Sequence, residues 1–475
     1  MESDLTFNLR GLVESSTPRL LELHSDFVNP AYVKVLRTIG FDINYASARG
    51  AYLFDDQGRK YIDCLGGYAI FPLGRNSPEI QNAICQAMDL QLPSLPGIGP
   101  FKLAGLLAQK LLEIAPGNFG KVFFASAGAE AIDSAIKMAR IYTTRPGVVY
   151  CHRGYHGLTI GALSVTGNAE FRDGFGELLA STVEIPFNDL SALERELSTG
   201  RHAAFIIEPI QGKGVNLPSE NYLRDAAGLC KKYGTVFIVD EIQVGIGRTG
   251  KWFASEHYGC GRPEQGGSWQ PDVIVVAKAL SGGYVPVSAV IARDEVHRAV
   301  FSSMANCSKM QNTFSMNDLS MTTGLATLHY MRERETCAHV SRVGDYLMAG
   351  LRDRLRRFEM FKDVRGKGLI IGVEFQRPTS LGLRLGWDMV HKLDESLFCQ
   401  AILMPLLTDH RVLAQVAGHR LDVIKLIPPL TLNEADCDQI IRAFEATVSA
   451  CHSLAGPMWA VGKKLAAAKL RTAGV

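Results

Sequence analysis

No stretch of this chain stays apolar for the ~20 residues that a membrane-spanning helix needs, and none of its ten cysteines falls into a C-x-x-C spacing. Cys64, Cys85, Cys151, Cys230, Cys260, Cys307, Cys337, Cys399, Cys437 and Cys451 are scattered. That distribution reads as reduced cytosolic thiols and not as disulfides or a zinc site. The N-terminus lacks a basic-then-apolar leader, and no internal repeat is visible. An excess of one charge is missing too: 50 Lys and Arg face 48 Asp and Glu, a formal net charge of +2. Nucleic-acid binding, which calls for a basic stripe, has no support. What remains is ordinary for a soluble enzyme, 47% hydrophobic and 21% charged. At 475 residues the chain exceeds one compact core, so two domains are expected. These readings together give a cytoplasmic protein without a metal, nucleic-acid or membrane partner.

The most informative stretch is Pro271 to Gly283, where the β-branched run Val273-Ile274-Val275-Val276 delivers Lys278 into a Ser-Gly-Gly turn. It reads as a buried strand. Lysine at its end either reaches solvent or stays desolvated, and a desolvated amine loses proton affinity and becomes nucleophilic. Thirty-eight residues earlier a second apolar run, Val236-Phe237-Ile238-Val239, ends in Asp240. Parallel strands would bring that acid and the amine to one edge of a sheet. Pyridoxal phosphate needs such a pair: a lysine for a Schiff base and an acid that keeps the pyridine nitrogen protonated.

Further strands and helices alternate along the chain. Lys121-Val122-Phe123-Phe124 leads through Ser126-Ala127-Gly128-Ala129 into a helix, an arrangement that offers backbone N–H groups and a dipole to a phosphate. Val148 to Cys151 leads into Arg153-Gly154-Tyr155-His156-Gly157, and Phe205-Ile206-Ile207 ends at Glu208. This βαβ alternation implies a largely parallel sheet wrapped by helices. Residues 1 to about 40 carry helical spacing and read as an N-terminal arm against a partner subunit. Residues 46–65 read as a hairpin around Asp55-Asp56-Gln57-Gly58, followed by Gly66-Gly67-Tyr68; the 259–268 segment reads as a glycine-rich surface loop, and 456–475 as a loose tail.

The wording and order of Glu208-Pro209-Ile210-Gln211-Gly212, Asp240-Glu241-Ile242-Gln243 through Gly250, and Ala277-Lys278-Ala279-Leu280-Ser281-Gly282-Gly283 resemble the class III aminotransferases, nearest to putrescine and ornithine aminotransferases. The resemblance implies fold type I: a large domain with a mostly parallel seven-stranded sheet and a smaller α+β domain built from both termini. The divisions expected are 1–95, 96–334 and 335–475. It implies pyridoxal phosphate held by Lys278 and Asp240, with Gly128 and Ala129 at its phosphate, Tyr155 stacked on the ring, His156 just beyond, Ile242 on the ring face and Gln243 near the ring hydroxyl. Thr313 would serve the phosphate of a neighbouring subunit in a homodimer with shared sites. Gly67 and Tyr68 would approach the substrate, and Glu208 is either a participant or a structural acid.

The chain also departs from that family. Ser126, Ala127 and Ala129 stand where Asn, Ser and Thr are usual, and Ser315-Met316 replaces Gly-Gly. Relatives clamp a substrate α-carboxylate with an arginine and neutralise it with a glutamate, whereas Lys425 and Lys213 occupy those positions here. Lysine lacks the planar fork that matches a carboxylate. Two cations without that anion either point apart or meet a substrate with extra negative charge. Transfer of an amino group between an amine or amino acid and a carbonyl compound is the leading expectation. Racemisation, or decarboxylative carbon–carbon bond formation with an acyl thioester, would keep Lys278 and Asp240 and stays open on these residues. The shared site generates a prediction: hybrids of Lys278→Ala and Thr313→Ala chains recover activity that neither parent has, since one of their two sites is intact. No recovery in verified hybrids means that the sites are not shared.

Overall fold

The computed structural model describes residues 7–96, 99–393 and 397–452; the segment expected as a tail lies outside them. The runs His202–Ile207, Val236–Asp240 and Val273–Val276 are buried at every residue, as strands covered on both faces must be. They form the middle of a seven-stranded sheet ordered Lys121–Ala125, Ser288–Ala292, Val273–Val276, Val236–Asp240, His202–Ile207, Gly147–Cys151, Thr182–Ile185. Ser288–Ala292 runs antiparallel to both neighbours and the other pairs are parallel. This is the fold type I sheet expected from the sequence.

Helices cover the two faces. The Gly128–Thr143 helix presents Ala131, Ile132, Ala135, Ile136 and Ala139, all buried, to a core shared with Val148, Ile206, Ile238 and Val275. Complete burial of each of those isoleucines contributes on the order of 2 kcal/mol. On the other face Phe205 and Phe237 stack with ring centroids 5.6 Å apart, and the Tyr222–Tyr233 helix closes over them.

Two smaller sheets bring distant parts of the chain together. Phe361–Lys367, Ile370–Phe375, Val423–Leu426 and Gln415–Val416 pair antiparallel in that order. Tyr45–Arg49, Tyr52–Asp55 and Lys60–Asp63 form an antiparallel meander, and Val412–Leu413 joins its edge in parallel, with Val412 opposite Ile62. The expected hairpin is present, its turn held by Asp55 Oδ1, which accepts the N–H groups of Gln57 and Arg59 at 3.0 and 2.8 Å. Arg248, wholly buried, ties these parts to the large sheet by donating to the carbonyls of Leu369 and Pro428 at 3.1 and 2.5 Å.

The N-terminal arm is helical as expected, in the segments Leu9–Ser16, Leu20–Phe27 and Pro30–Ile39, with Asn29 capping the last through Tyr32 N–H at 3.0 Å. Leu9, Leu12, Val13, Phe27, Tyr32 and Val35 are exposed along it. The 259–268 segment includes a short 3-10 turn, Pro263–Gln265, and an isolated bridge from Cys260 to Trp269. Gly66 to Ala69 form one left-handed turn, with φ of +56° at Gly66 and Gly67 and 64° at Tyr68.

Gly66 is pressed against the chain that follows Val423–Leu426: a Cβ there would overlap the Ile427 carbonyl. Gly66→Ala is therefore expected to destabilise the protein by about 1–3 kcal/mol. Gly228→Ala, in the Tyr222–Tyr233 helix with open space around it, should be neutral or gain about 0.5–1 kcal/mol. Urea unfolding midpoints of the two variants compare the effects directly, and equal midpoints would refute the contrast.

Candidate active site

Three neighbouring parallel strands each end in a chemically active residue: Glu208 follows His202–Ile207, Asp240 closes Val236–Asp240, and Lys278 lies two residues past Val276. Their carboxyl ends open into a cavity of about 680 Å³, the position where open α/β sheets take their ligands. Lys278 sits there in the left-handed region, φ 43°. Burial lowers its proton affinity, and the carboxylates of Asp240 and Glu208 oppose that shift.

Asp240 is held on both oxygens. Oδ2 accepts from His156 Nδ1 at 2.7 Å, inside a fully buried contact, and Oδ1 accepts the Ile242 N–H at 3.0 Å. His156 Nε2 is buried without a partner among the described residues. Glu208 receives the N–H groups of Tyr155 and Gly212, each at 2.9 Å. Burial raises its pKa, partly offset by His156. One acid thus fixes the backbone of two cavity walls while the other faces the lysine.

The wall beside Gly128 is the start of the Gly128–Thr143 helix, whose first N–H groups have no intrahelical acceptor. Glu130 takes the N–H groups of Ser126 and Ala127, at 3.0 and 3.4 Å. Gly128 and Ala129 are left facing the cavity. A Cβ at Gly128 would stand 3.1 Å from Ile242 Cδ1, so glycine keeps this corner open. A desolvated amine, a buried carboxylate opposite it, and a helix start at the rim fit the aldehyde, ring nitrogen and phosphate of pyridoxal phosphate.

The structure gathers nearly all the expected residues in that cavity: Gly128, Ala129, Tyr155, His156, Asp240, Ile242, Gln243 and Lys278, with Tyr68, Glu208, Lys213 and Lys425. Gly67 is not on the wall. It turns inward, where a Cβ would meet Phe71 and Ile70 at 2.8 and 2.9 Å, and its neighbour Tyr68 provides the surface. Thr313 is exposed and outside this chain's cavity. Phe171, Tyr284, Gln415 and Val416 also line it and were not foreseen. Tyr284 directly follows Gly282-Gly283 and was within reach of the motif; Phe171 and the Gln415–Val416 strand carry no local signal.

Both substituted lysines line the cavity, and their amines go to different partners, Lys425 to the Gly212 carbonyl and Gln243, Lys213 to aromatic rings. Burial, with Lys278 and Lys213 nearby, lowers Lys425 to about 7. At that value the amine is only partly protonated near neutral pH, which weakens the repulsion, a possibility that counting formal charges overlooks. Lys213 lies over the rings of Phe171 and Tyr155, 4.7 and 5.5 Å from their centroids; burial lowers its pKa too, against the pull of Glu170.

The sequence profile described as Aminotransferase class-III matches residues 36–448. Aminotransferase PigE from Serratia sp. is 32% identical over 460 residues, covering 90% of this chain and 53% of the relative. The chain therefore spans about half the length of that relative. Ornithine aminotransferase from Toxoplasma gondii ME49 superposes with a TM-score of 0.79 at 25% identity, over 94% of this chain and 99% of that one. Acetylornithine aminotransferase from Elizabethkingia anophelis gives 0.67 at 26%, over 88% and 98%.

The desolvated amine generates a prediction. After incubation with pyridoxal phosphate and borohydride reduction, peptide mapping should find the label on Lys278, and Lys278→Ala should take up little. A label spread equally over surface lysines would mean that burial gives Lys278 no advantage.

Proposed function

The chain belongs to the class III aminotransferase family, whose members use pyridoxal phosphate, and from that premise we propose that it transfers an amino group between an amine or amino acid and a carbonyl compound in the cavity around Lys278. The observation that carries this reading is the buried Lys278 amine beside a carboxylate fixed on both oxygens. When bound, the cofactor supplies an aldehyde that captures the amine and a ring that draws electrons from the substrate carbon. Lys278 Nζ, which burial biases toward the neutral amine, takes the proton from that carbon and returns it at the other end of the transfer. Asp240 would keep a proton on the ring nitrogen, and His156 keeps Asp240 in place. Ile242 and Tyr155 would hold the ring, Gly128 and Ala129 would hold the phosphate, and Gln243 would serve the ring hydroxyl.

The working unit in this reading is a homodimer. The apolar residues left exposed on the N-terminal helices support it, as does the exposed position of Thr313, which in this reading serves the partner's phosphate. The domains are 1–95 with 335–475 around the small sheets and 96–334 around the large one, supported by the pairing of Val412 with Ile62. Ten free cysteines, seven of them buried, suit a cytoplasmic setting. Among the described residues no helix is long and apolar enough to cross a membrane.

No arginine lines the cavity among the described residues, and Lys425 is buried with lowered proton affinity. Glutamate and 2-oxoglutarate are accordingly expected to be poor substrates, with kcat/KM at least about tenfold below those of a favoured amine or aldehyde, the value of a missing two-point carboxylate contact. A donor and acceptor panel, read by conversion of the bound cofactor's absorbance in single half-reactions, tests both statements. No conversion by any amine overturns the proposed reaction; efficient glutamate conversion, unchanged in Lys425→Ala, overturns only the donor preference.

A further inference from the structure

Lys425 comes from the Val423–Leu426 strand of a small sheet, yet its amine ends against the turns of the large one. Nζ donates to the Gly212 carbonyl at 2.8 Å and to Gln243 Oε1 at 3.3 Å. As the donor in this contact, Lys425 engages the side-chain amide through its oxygen, and this sets which way round the Gln243 amide lies. With Oε1 taken, Nε2 is left as a donor; it has no partner among the described residues, and Gln243 lines the cavity. Gly212 closes the arrangement from the other side, because a Cβ there would overlap Gln243 Oε1. Its N–H is held in turn by Glu208 Oε2 at 2.9 Å.

We propose that Lys425 is a positioning residue, which fixes the Gln243 amide with its N–H groups toward the cofactor, and not a receptor for a substrate carboxylate. The inference rests on the reading of this cavity as the cofactor and amine site. Its chemistry is coherent with the surroundings. The charged groups that bear on Lys425 are Lys278, Lys213 and Glu208, and with burial they bring it to about 7. The amine has N–H groups for both acceptors present, and an amine so engaged and only partly protonated is a weak partner for an anion. Because the bond spans two sheets, it also makes the orientation of Gln243 depend on how the small sheet sits against the large one.

The test is epistasis on the holoenzyme. Cofactor retention on dialysis and the visible absorption maximum of the bound cofactor are measured for wild type, Lys425→Met, Gln243→Ala and the double variant, with circular dichroism for folding. Lys425→Met should weaken retention roughly 3- to 10-fold, the value of one hydrogen bond, and displace the absorption maximum. The same change should be absent when Gln243 is already Ala. Gly212→Ala, which displaces the amide while leaving the Lys425 side chain in the protein, should give the same spectral shift and keeps the test alive if Lys425→Met does not fold. Additive losses in the double variant overturn the proposal. So does a Lys425→Met enzyme that retains cofactor normally and loses affinity only for 2-oxoglutarate. A wild-type protein that holds no cofactor would instead overturn the reading of the site itself.

Discussion

Removing Lys278 from water is the constraint on which the rest of the structure depends. An isolated ammonium in an apolar interior costs several kcal/mol, and the chain meets that cost by seating the amine at the edge of the sheet beside two carboxylates. Those acids must themselves be held. Asp240 takes a histidine and a backbone N–H, Glu208 takes two backbone N–H groups, and each donor belongs to a loop that also walls the cavity. Charge, loop shape and cavity are consequently one problem with a single solution, which is why three consecutive strand ends carry all of it.

Much of this was legible in the sequence, for definite reasons. A strand buried on both faces is an unbroken β-branched run, so Val236–Asp240 and Val273–Val276 announced themselves along with the polar residues at their ends. The glycine-rich turns marked where backbone must bend sharply or approach a ligand. What stayed hidden depends on contacts between distant segments. Gln415 and Val416 form a two-residue strand with no periodicity to detect; Phe171 sits in the one-turn helix Ala169–Arg172, too short to show a spacing, and packs against Tyr155 at 5.3 Å between ring centroids. The state of Lys425 was hidden for a different reason: formal charge can be counted from residues, but proton affinity is a property of the place where they end up.

The substitutions around the site gain coherence in this light. Where relatives in the family pair an arginine with a glutamate, this chain has lysines, one enclosed and turned to the protein, one spread over aromatic rings. The cavity they leave is walled mainly by Tyr68, Tyr155, Phe171, Leu158, Tyr284 and Val416. In the proposed reading, a substrate there would gain affinity from apolar and ring contacts more than from charge pairing. On that reading the amino-transfer chemistry and the choice of substrate would fall to different sets of residues, and the second set could change without disturbing the first.

The pairing of Val412–Leu413 with Lys60–Asp63 also has a consequence for synthesis on the ribosome. About 350 residues separate Ile62 from Val412, and at ~5–20 residues per second this is a wait of roughly 20–70 seconds. During that interval the emerging meander has an open edge with unpaired N–H and C=O groups. The large sheet, by contrast, needs only residues up to Ala292 and can form while translation continues. The nascent chain therefore passes through a stage at which its main sheet is complete and one side of its substrate cavity does not yet exist.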